Sequence, residues 1–176
     1  VKPVARIPDV QPAGEGGLLG IALSPHFAGD GLVYLYYSVA QENRVVRFRY
    51  TGDGLTDPVP VLTGIPRAAN HNGGRIRFGP DGYLYIGTGD AARRENAQDR
   101  NSLGGKILRV GADGTIPADN PFGNAVYSYG HRNVQGIGWD ATGRMFASEF
   151  GQDTFDELNQ IRPGGNYGWP DAEGMT

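Results

Sequence analysis

Cysteine is absent from the 176 residues, so the chain can form neither a disulfide nor a thiolate-based catalytic or zinc site. No uninterrupted apolar run approaches the roughly 20 residues that span a bilayer. Positive charge is not in excess, because 16 lysines and arginines stand against 19 acidic residues and leave a net charge of −3. These absences argue against a disulfide-held scaffold, a membrane span, a polybasic membrane patch and a nucleic-acid-binding surface.

Glycine and proline, in contrast to cysteine, are abundant in the sequence. The 29 glycines and 12 prolines amount to about twice ordinary usage. Short runs of β-branched and aromatic residues recur between them, such as Leu32–Val39 and Arg44–Tyr50, and no convincing amphipathic helix is found. The pattern predicts an all-β protein made of many short strands joined by tight turns.

The stretch from Asn70 to Ala91 contains the clearest β-hairpin. Two β-prone runs, Arg75–Phe78 and Tyr83–Ile86, flank a Gly-Pro-Asp-Gly turn. Antiparallel pairing returns the end of the second strand to the start of the first, which brings Asp90 beside His71. A histidine next to a carboxylate at the end of a sheet is a candidate general base with its orienting partner.

An internal repeat predicts the architecture. Phe78–Tyr83 aligns with Trp139–Arg144, and a looser match lies upstream around Leu23, so similar units of about 55–60 residues and about four strands succeed one another. Repeats of this size predict β-propeller blades. The expected units are roughly 15–69, 70–130 and 131–176.

Three blades are too few for a closed ring, since propellers usually have 4–8. Residues 1–176 are therefore predicted to form a partial β-propeller domain, about half of a six-bladed type. The chain has no initiator methionine or signal peptide and is interpreted as a processed product or a piece of something longer. The missing blades are expected from a longer parent chain or from a second chain.

The repeat also predicts a polar pocket near the propeller axis. Equivalent positions of successive blades lie at equal distances from that axis and on the same face. The alignment relates three pairs: His71 with Arg132, Asp90 with Gly151, and Glu15 with Asn70.

Several motifs, in the same order, resemble the soluble pyrroloquinoline quinone (PQQ)-dependent aldose sugar and glucose dehydrogenases, also called the glucose/sorbosone dehydrogenase family. The resemblance covers about Val10 to Pro170, or about half of a family member, and it implies a six-bladed propeller. The segments that carry it are Gly14–Phe27, Asn70–Asp90, Ser102–Val110, Gly130–Gly136 and Asp156–Pro170.

The resemblance implies oxidation of an aldose at its anomeric carbon to a lactone, with PQQ as hydride acceptor and an external electron acceptor. His71 matches the family's base, Asp90 the carboxylate that orients it, and Arg132 the cation beside the quinone. Cofactor-binding positions are matched by Glu15, Asn70, Arg132 and Asn133. The family relationship also implies a periplasmic or secreted protein.

Calcium is a further implied cofactor. Gly151 and Gln152 match positions whose main-chain carbonyls bind the ion against the quinone, and Glu157 and Tyr167 match a second, structural site. The chain departs from the family pattern here, because Phe150 stands where relatives carry a polar residue.

Two other functions stay open. One is a non-catalytic propeller that binds a sugar or protein partner on its top face, because a fold does not dictate a function. The other is a calcium-dependent, lactonase-like propeller, which needs a deeper carboxylate cage than the sequence shows. Among residues outside the main site, His131 is interpreted as a hydrogen-bonded or surface histidine without a catalytic role, and Arg93–Glu95 as a solvated loop.

Overall fold

A computed structural model describes residues 2–174, and within this range the chain forms three antiparallel sheets. The first sheet contains four strands, and the single-turn helix α1 lies between the first two. In chain order the elements are β1 (Leu18–Leu23), α1 (Phe27–Asp30), β2 (Leu32–Ser38), β3 (Asn43–Tyr50) and β4 (Leu55–Ile65). The strands lie in the sheet in the order β1-β2-β3-β4. Strand β4, with 11 residues, is the longest of the described strands. It tolerates Pro58 and Pro60 because it is an edge strand, paired on one side only.

The second sheet also has four strands in sequence order, and it contains the predicted hairpin. Its elements are β5 (Ile76–Phe78), β6 (Leu84–Gly87), α2 (Glu95–Gln98), β7 (Lys106–Val110) and β8 (Val126–Tyr129).

The third sheet has three strands within the described residues rather than the expected four. They are β9 (Val134–Trp139), β10 (Met145–Glu149) and β11 (Glu157–Ile161). Its first hairpin repeats the turn of the second sheet: Gly82 donates its N–H to the Gly79 carbonyl at 3.0 Å, and Gly143 donates to the Asp140 carbonyl at the same distance. The boundaries proposed for the units, 15–69, 70–130 and 131–176, remain a prediction.

The core lies in layers between successive sheets. Along β6, Leu84 and Ile86 pack against the first sheet, whereas Tyr85 points to the opposite side and packs against the third. Side chains alternate between the two faces of a strand, so a strand covered on both faces is apolar throughout. All four residues of β6 are accordingly buried. This stacking confirms the all-β propeller arrangement for the part of the ring present.

The first strands of the three sheets lie next to one another. Strands β1, β5 and β9 together line a cavity of about 540 Å³. The approach is close: a Cβ atom on Gly20 of β1 would stand 2.0 Å from the Gly74 carbonyl oxygen. Arg75 donates to the main-chain carbonyl of Gln135 at 2.9 Å and so ties the second sheet to the third. No helix in residues 2–174 is long and apolar enough to cross a membrane.

Candidate active site

His71 and Asp90 meet where the hairpin of the second sheet begins and ends. The Nδ1 of His71 lies 2.8 Å from Oδ1 of Asp90, with the histidine side chain 13% exposed and the aspartate 1%. The proximity predicted from antiparallel pairing is therefore confirmed. A carboxylate only accepts hydrogen bonds, so in the neutral imidazole Nδ1 carries the proton and Nε2 has a free lone pair.

The backbone of His71 is held in a conformation that few side chains adopt. Its φ is 56°, in the left-handed region, and Ala91 and Ala92 on the facing loop have φ of 55° and 57°. The His71 carbonyl accepts the N–H of Ala91 at 3.1 Å. Gly89 makes this approach possible, since a Cβ there would stand 1.9 Å from the same carbonyl oxygen. Strained residues of this kind persist only where surrounding contacts hold them.

Both oxygens of Asp90 are occupied. Oδ1 accepts the main-chain N–H of Ala92 at 2.8 Å in addition to His71, and Oδ2 accepts the indole N–H of Trp169 at 2.8 Å. The main-chain N–H of Asp90 donates to the carbonyl of Arg132 at 2.9 Å, which joins the second sheet to the third. The carboxylate is fixed from three directions.

Arg132 supplies a cation at this junction. Its guanidinium carbon lies 5.4 Å from the centre of the Trp169 ring, and Nη1 donates to the Phe150 carbonyl at 3.2 Å. Its Nε is buried and has no hydrogen-bond partner among residues 2–174. A buried donor without a partner is costly, so this atom marks a place where a ligand oxygen would be stabilised.

A second histidine–carboxylate pair lies directly behind Arg132. His131 places Nδ1 2.8 Å from Oε1 of Glu149 and Nε2 2.8 Å from the hydroxyl of Ser128. The order Ser-His-Glu has the form of a hydrolase triad, but all three residues are buried and no substrate could reach the hydroxyl. Of the two interpretations of His131, hydrogen-bonded or surface, the structure therefore confirms the first.

Glu149 supports the main chain of the site. Oε2 accepts the N–H of Arg132 at 2.9 Å, and Oε1 also accepts the side-chain amide of Asn159 at 2.9 Å. Burial by itself raises the pKa of this carboxyl. The positive charge of His131 and the three hydrogen bonds outweigh that effect and hold the pKa of Glu149 below its usual range.

The dyad opens into a cavity of about 350 Å³. Its wall contains residues from five stretches of the chain: His71, Asp90, Ala92, Arg94, Arg132, Gln152, Asp153 and Trp169. Arg94 is exposed, in agreement with the prediction of a solvated loop. Its guanidinium also lies 5.0 Å from the centre of the Trp169 ring. Its Nη2 donates to Oε1 of Gln152 at 2.5 Å. The participation of Arg94 and Trp169 was not found from the sequence.

The residues predicted to bind a cofactor occupy different places. Glu15 accepts the main-chain N–H of His71 at 2.8 Å and lines a neighbouring cavity of about 280 Å³. Asn133 is buried, and its amide oxygen accepts the N–H of Gly73 at 3.0 Å. Asn70 is exposed next to His71. Glu15 and Asn133 therefore hold the main chain at His71 and at Gly73, two residues further on.

The predicted calcium ligands separate into two places. Gln152 lines the cavity, and the N–H of Gly151 donates to Asp156 at 3.2 Å. Glu157 accepts the N–H of Gly174 at 2.7 Å, whereas the Tyr167 ring stacks on His131 at 4.6 Å. Within residues 2–174, no three histidine, aspartate or glutamate side chains gather to hold a metal ion. Calcium remains a prediction that depends on main-chain carbonyls.

Fold and site together define a partial β-propeller whose histidine–aspartate dyad faces arginines at the junction of two blades. The family model described as "Glucose / Sorbosone dehydrogenase" matches residues 1–176, and the chain belongs to this family. The resemblance stated from the motifs is thereby confirmed.

Curated relatives include quinoprotein glucose dehydrogenase B of Acinetobacter calcoaceticus, 35% identical over 99% of this chain and 44% of the relative. Another is the aldose sugar dehydrogenase YliI of Escherichia coli strain K12, 36% identical over 96% of this chain and 50% of the relative. Among solved structures, the PQQ-bound aldose sugar dehydrogenase of Streptomyces coelicolor is similar with a TM-score of 0.94 and 57% identity. That match covers 98% of this chain and 53% of the solved one. The chain thus spans about half the length of the relatives it matches.

Proposed function

We propose that this chain carries the base side of a PQQ-dependent aldose dehydrogenase, which oxidises the C1 hydroxyl of an aldose to a lactone. The observation that supports this most directly is the 2.8 Å contact between Nδ1 of His71 and Asp90 at the wall of an open cavity. With Nδ1 donating to the carboxylate, Nε2 of His71 is the atom that accepts the proton of the sugar hydroxyl. Asp90 stabilises the imidazolium that results.

PQQ, when bound, supplies an o-quinone that accepts the hydride. The residues present fit such a group, because it carries carboxylates and quinone oxygens that need cations and hydrogen-bond donors. Arg132 offers a guanidinium whose Nε has no partner among residues 2–174, and Arg94 offers a second guanidinium at the same cavity. Arg132 would stabilise negative charge that develops on an oxygen beside it. The cavity wall also contains the flat indole of Trp169.

Three further parts of the proposal concern the complete protein. Calcium is expected at the carbonyls of Gly151 and Gln152, with an external electron acceptor to complete the reaction. A periplasmic or secreted location is expected by analogy with the family. The remaining blades are expected from the rest of the gene product or from a second chain. The first and the third sheet, at the two ends of the partial propeller, each expose a large apolar side chain: Ile21 is 65% exposed and Leu158 76%. Exposed apolar surface of this kind is typical of a place where another part of the protein packs.

The experiment that tests the function is reconstitution. The complete gene product is purified without cofactor, supplied with PQQ and calcium, and mixed with a panel of aldoses and an artificial electron acceptor. We expect aldose-dependent reduction of the acceptor that requires PQQ. Absence of activity with PQQ demonstrably bound contradicts the proposal.

The same titration separates the alternatives. A non-catalytic sugar- or protein-binding propeller is expected to give no absorbance change with PQQ. A lactonase is expected to hydrolyse a lactone with calcium alone. A lactone product that forms from the aldose only when PQQ is present supports the dehydrogenase over both.

A further inference from the structure

Trp169 lies in the segment that follows β11, yet its side chain returns to the His71–Asp90 dyad. The residue is 6% exposed, and its indole Nε1 donates to Oδ2 of Asp90 at 2.8 Å across 79 positions of the chain. None of the roles derived above from the motifs or from the family resemblance falls on this side chain.

The contact matters because of how the Asp90 carboxylate is held. Rotation about the last bond of an aspartate side chain is soft, so one occupied oxygen does not fix the carboxylate plane. Oδ1 already accepts from His71 and from the N–H of Ala92. Among residues 2–174, the indole of Trp169 is the hydrogen-bond donor to Oδ2, and this second bond fixes the orientation of the carboxylate plane.

Trp169 is itself anchored well enough to act as a support. The main-chain N–H of Trp169 donates to the Gly130 carbonyl at 3.0 Å, and its main-chain carbonyl accepts the side-chain amide of Gln98 at 2.7 Å. The guanidiniums of Arg94 and Arg132 lie 5.0 and 5.4 Å from its ring centre, within the range of cation–π attraction. One indole thus contacts the carboxylate of the dyad and both cations of the cavity.

We propose that Trp169 is a positioning residue for the sugar oxidation. It holds the Asp90 carboxylate so that His71 keeps its proton on Nδ1 and presents Nε2 as the base. The assignment rests on the proposed function for its catalytic consequence, but the hydrogen-bonded geometry that it describes is independent of any cofactor.

The kinetic test uses Trp169→Phe in the complete gene product, loaded with PQQ. Phenylalanine keeps an aromatic ring and removes the N–H donor. We expect kcat to fall about 10- to 100-fold, as misplacement of a catalytic group does, while KM and PQQ affinity stay within about twofold. Trp139→Phe is the matched control, because Trp139 packs edge-on against Tyr85 at 5.0 Å, away from the cavity, and should leave kcat unchanged. An unaltered kcat in Trp169→Phe overturns the proposal.

A second measurement needs no activity. Side-chain ¹⁵N NMR of His71, in cofactor-free protein at a pH where the ring is neutral, reports which nitrogen carries the proton. We expect the Nδ1–H tautomer in the unmodified protein and a mixture in Trp169→Phe; an unchanged tautomer overturns the positioning role. Should Trp169→Phe fail to fold, benzothienylalanine at position 169 keeps the shape and lacks the donor. A tautomer change without any sugar oxidation in the unmodified protein refutes the function and leaves the positioning role standing.

Discussion

The main-chain N–H of Arg132 donates to the buried carboxylate of Glu149 at 2.9 Å. The backbone of the residue that supplies the cation of the site is thus held by a buried acidic side chain. The same carboxylate holds His131 at 2.8 Å. The backbone that carries Arg132 therefore depends on a buried, hydrogen-bonded histidine–carboxylate pair.

Replacing Glu149 by Gln tests this support. Breaking a buried pair leaves His131 without its partner, and we expect a loss of about 3 kcal/mol in the free energy of unfolding at pH 7, measured by urea denaturation. The folded pKa of Glu149 is depressed, so its contribution is present above the unfolded pKa and is lost as the pH falls through the folded value. On acidification, the free energy of unfolding of Glu149→Gln should therefore fall less than that of the unmodified protein.

Glu95→Gln is the matched control for that change. Glu95 is exposed, and the nearest oxygen of its carboxylate lies 4.0 Å from Arg93. The same chemical substitution there should alter the free energy of unfolding by less than about 0.5 kcal/mol. Equal losses in both variants would contradict a special role for Glu149.

His71→Asn tests the base. Asparagine tolerates the left-handed backbone that His71 adopts with φ of 56°, so the fold should persist while the proton acceptor is removed. We expect sugar oxidation to fall below detection and PQQ affinity, measured by equilibrium dialysis, to change less than about threefold. His26→Asn, in an exposed loop, should keep full activity. Turnover that survives in His71→Asn would remove the base assignment.

Gly89→Ala tests the close contact behind the dyad. The new methyl group would meet the His71 carbonyl at 1.9 Å, and we expect a loss of about 3 kcal/mol in the free energy of unfolding, as overpacking against backbone produces. Gly29→Ala, in α1 with no atom within 4 Å of the added Cβ, should be neutral or stabilising. Thermal and urea unfolding of the two variants give the comparison.

Lys106 predicts a pH dependence on the alkaline side. Its ammonium is buried and donates to the carbonyls of Asn96, Ala97 and Gly104, and burial lowers the pKa of Lys106 to about 8. The unfolded chain then binds more protons than the folded one from about pH 8 up to the ordinary lysine pKa of 10.5. The contribution of this group to stability therefore rises with pH across that window.

The measurement is urea denaturation at pH 7.5 and pH 9.5, below the range in which tyrosines ionise. We expect Lys106→Met to lose the part of the pH dependence that Lys106 contributes, a slope of up to about 1 kcal/mol per pH unit. Lys2→Met, on an exposed residue, should keep the slope of the unmodified protein. An identical slope in Lys106→Met and the unmodified protein contradicts the assignment.

Much of the fold and the dyad followed from local pattern. The strand-turn-strand run around Gly79–Gly82 predicts antiparallel pairing, and pairing of these two neighbouring strands brings His71 close to Asp90. The repeated hairpin likewise predicted stacked sheets. The two helices within residues 2–174 were not predicted, because each is a single turn of four residues and too short to show a helical period.

The sequence by itself therefore determined the all-β fold, the hairpin and the contact between His71 and Asp90, since these depend on residues close along the chain. Only the tertiary structure decided that Trp169 donates to Asp90 and that Glu149 supports Arg132. It also decided that Arg94, on a loop that looks merely solvated, lines the cavity. The physical reason is that these contacts cross from one sheet or segment to another, and their distances depend on how the sheets stack around the axis, which no local periodicity encodes.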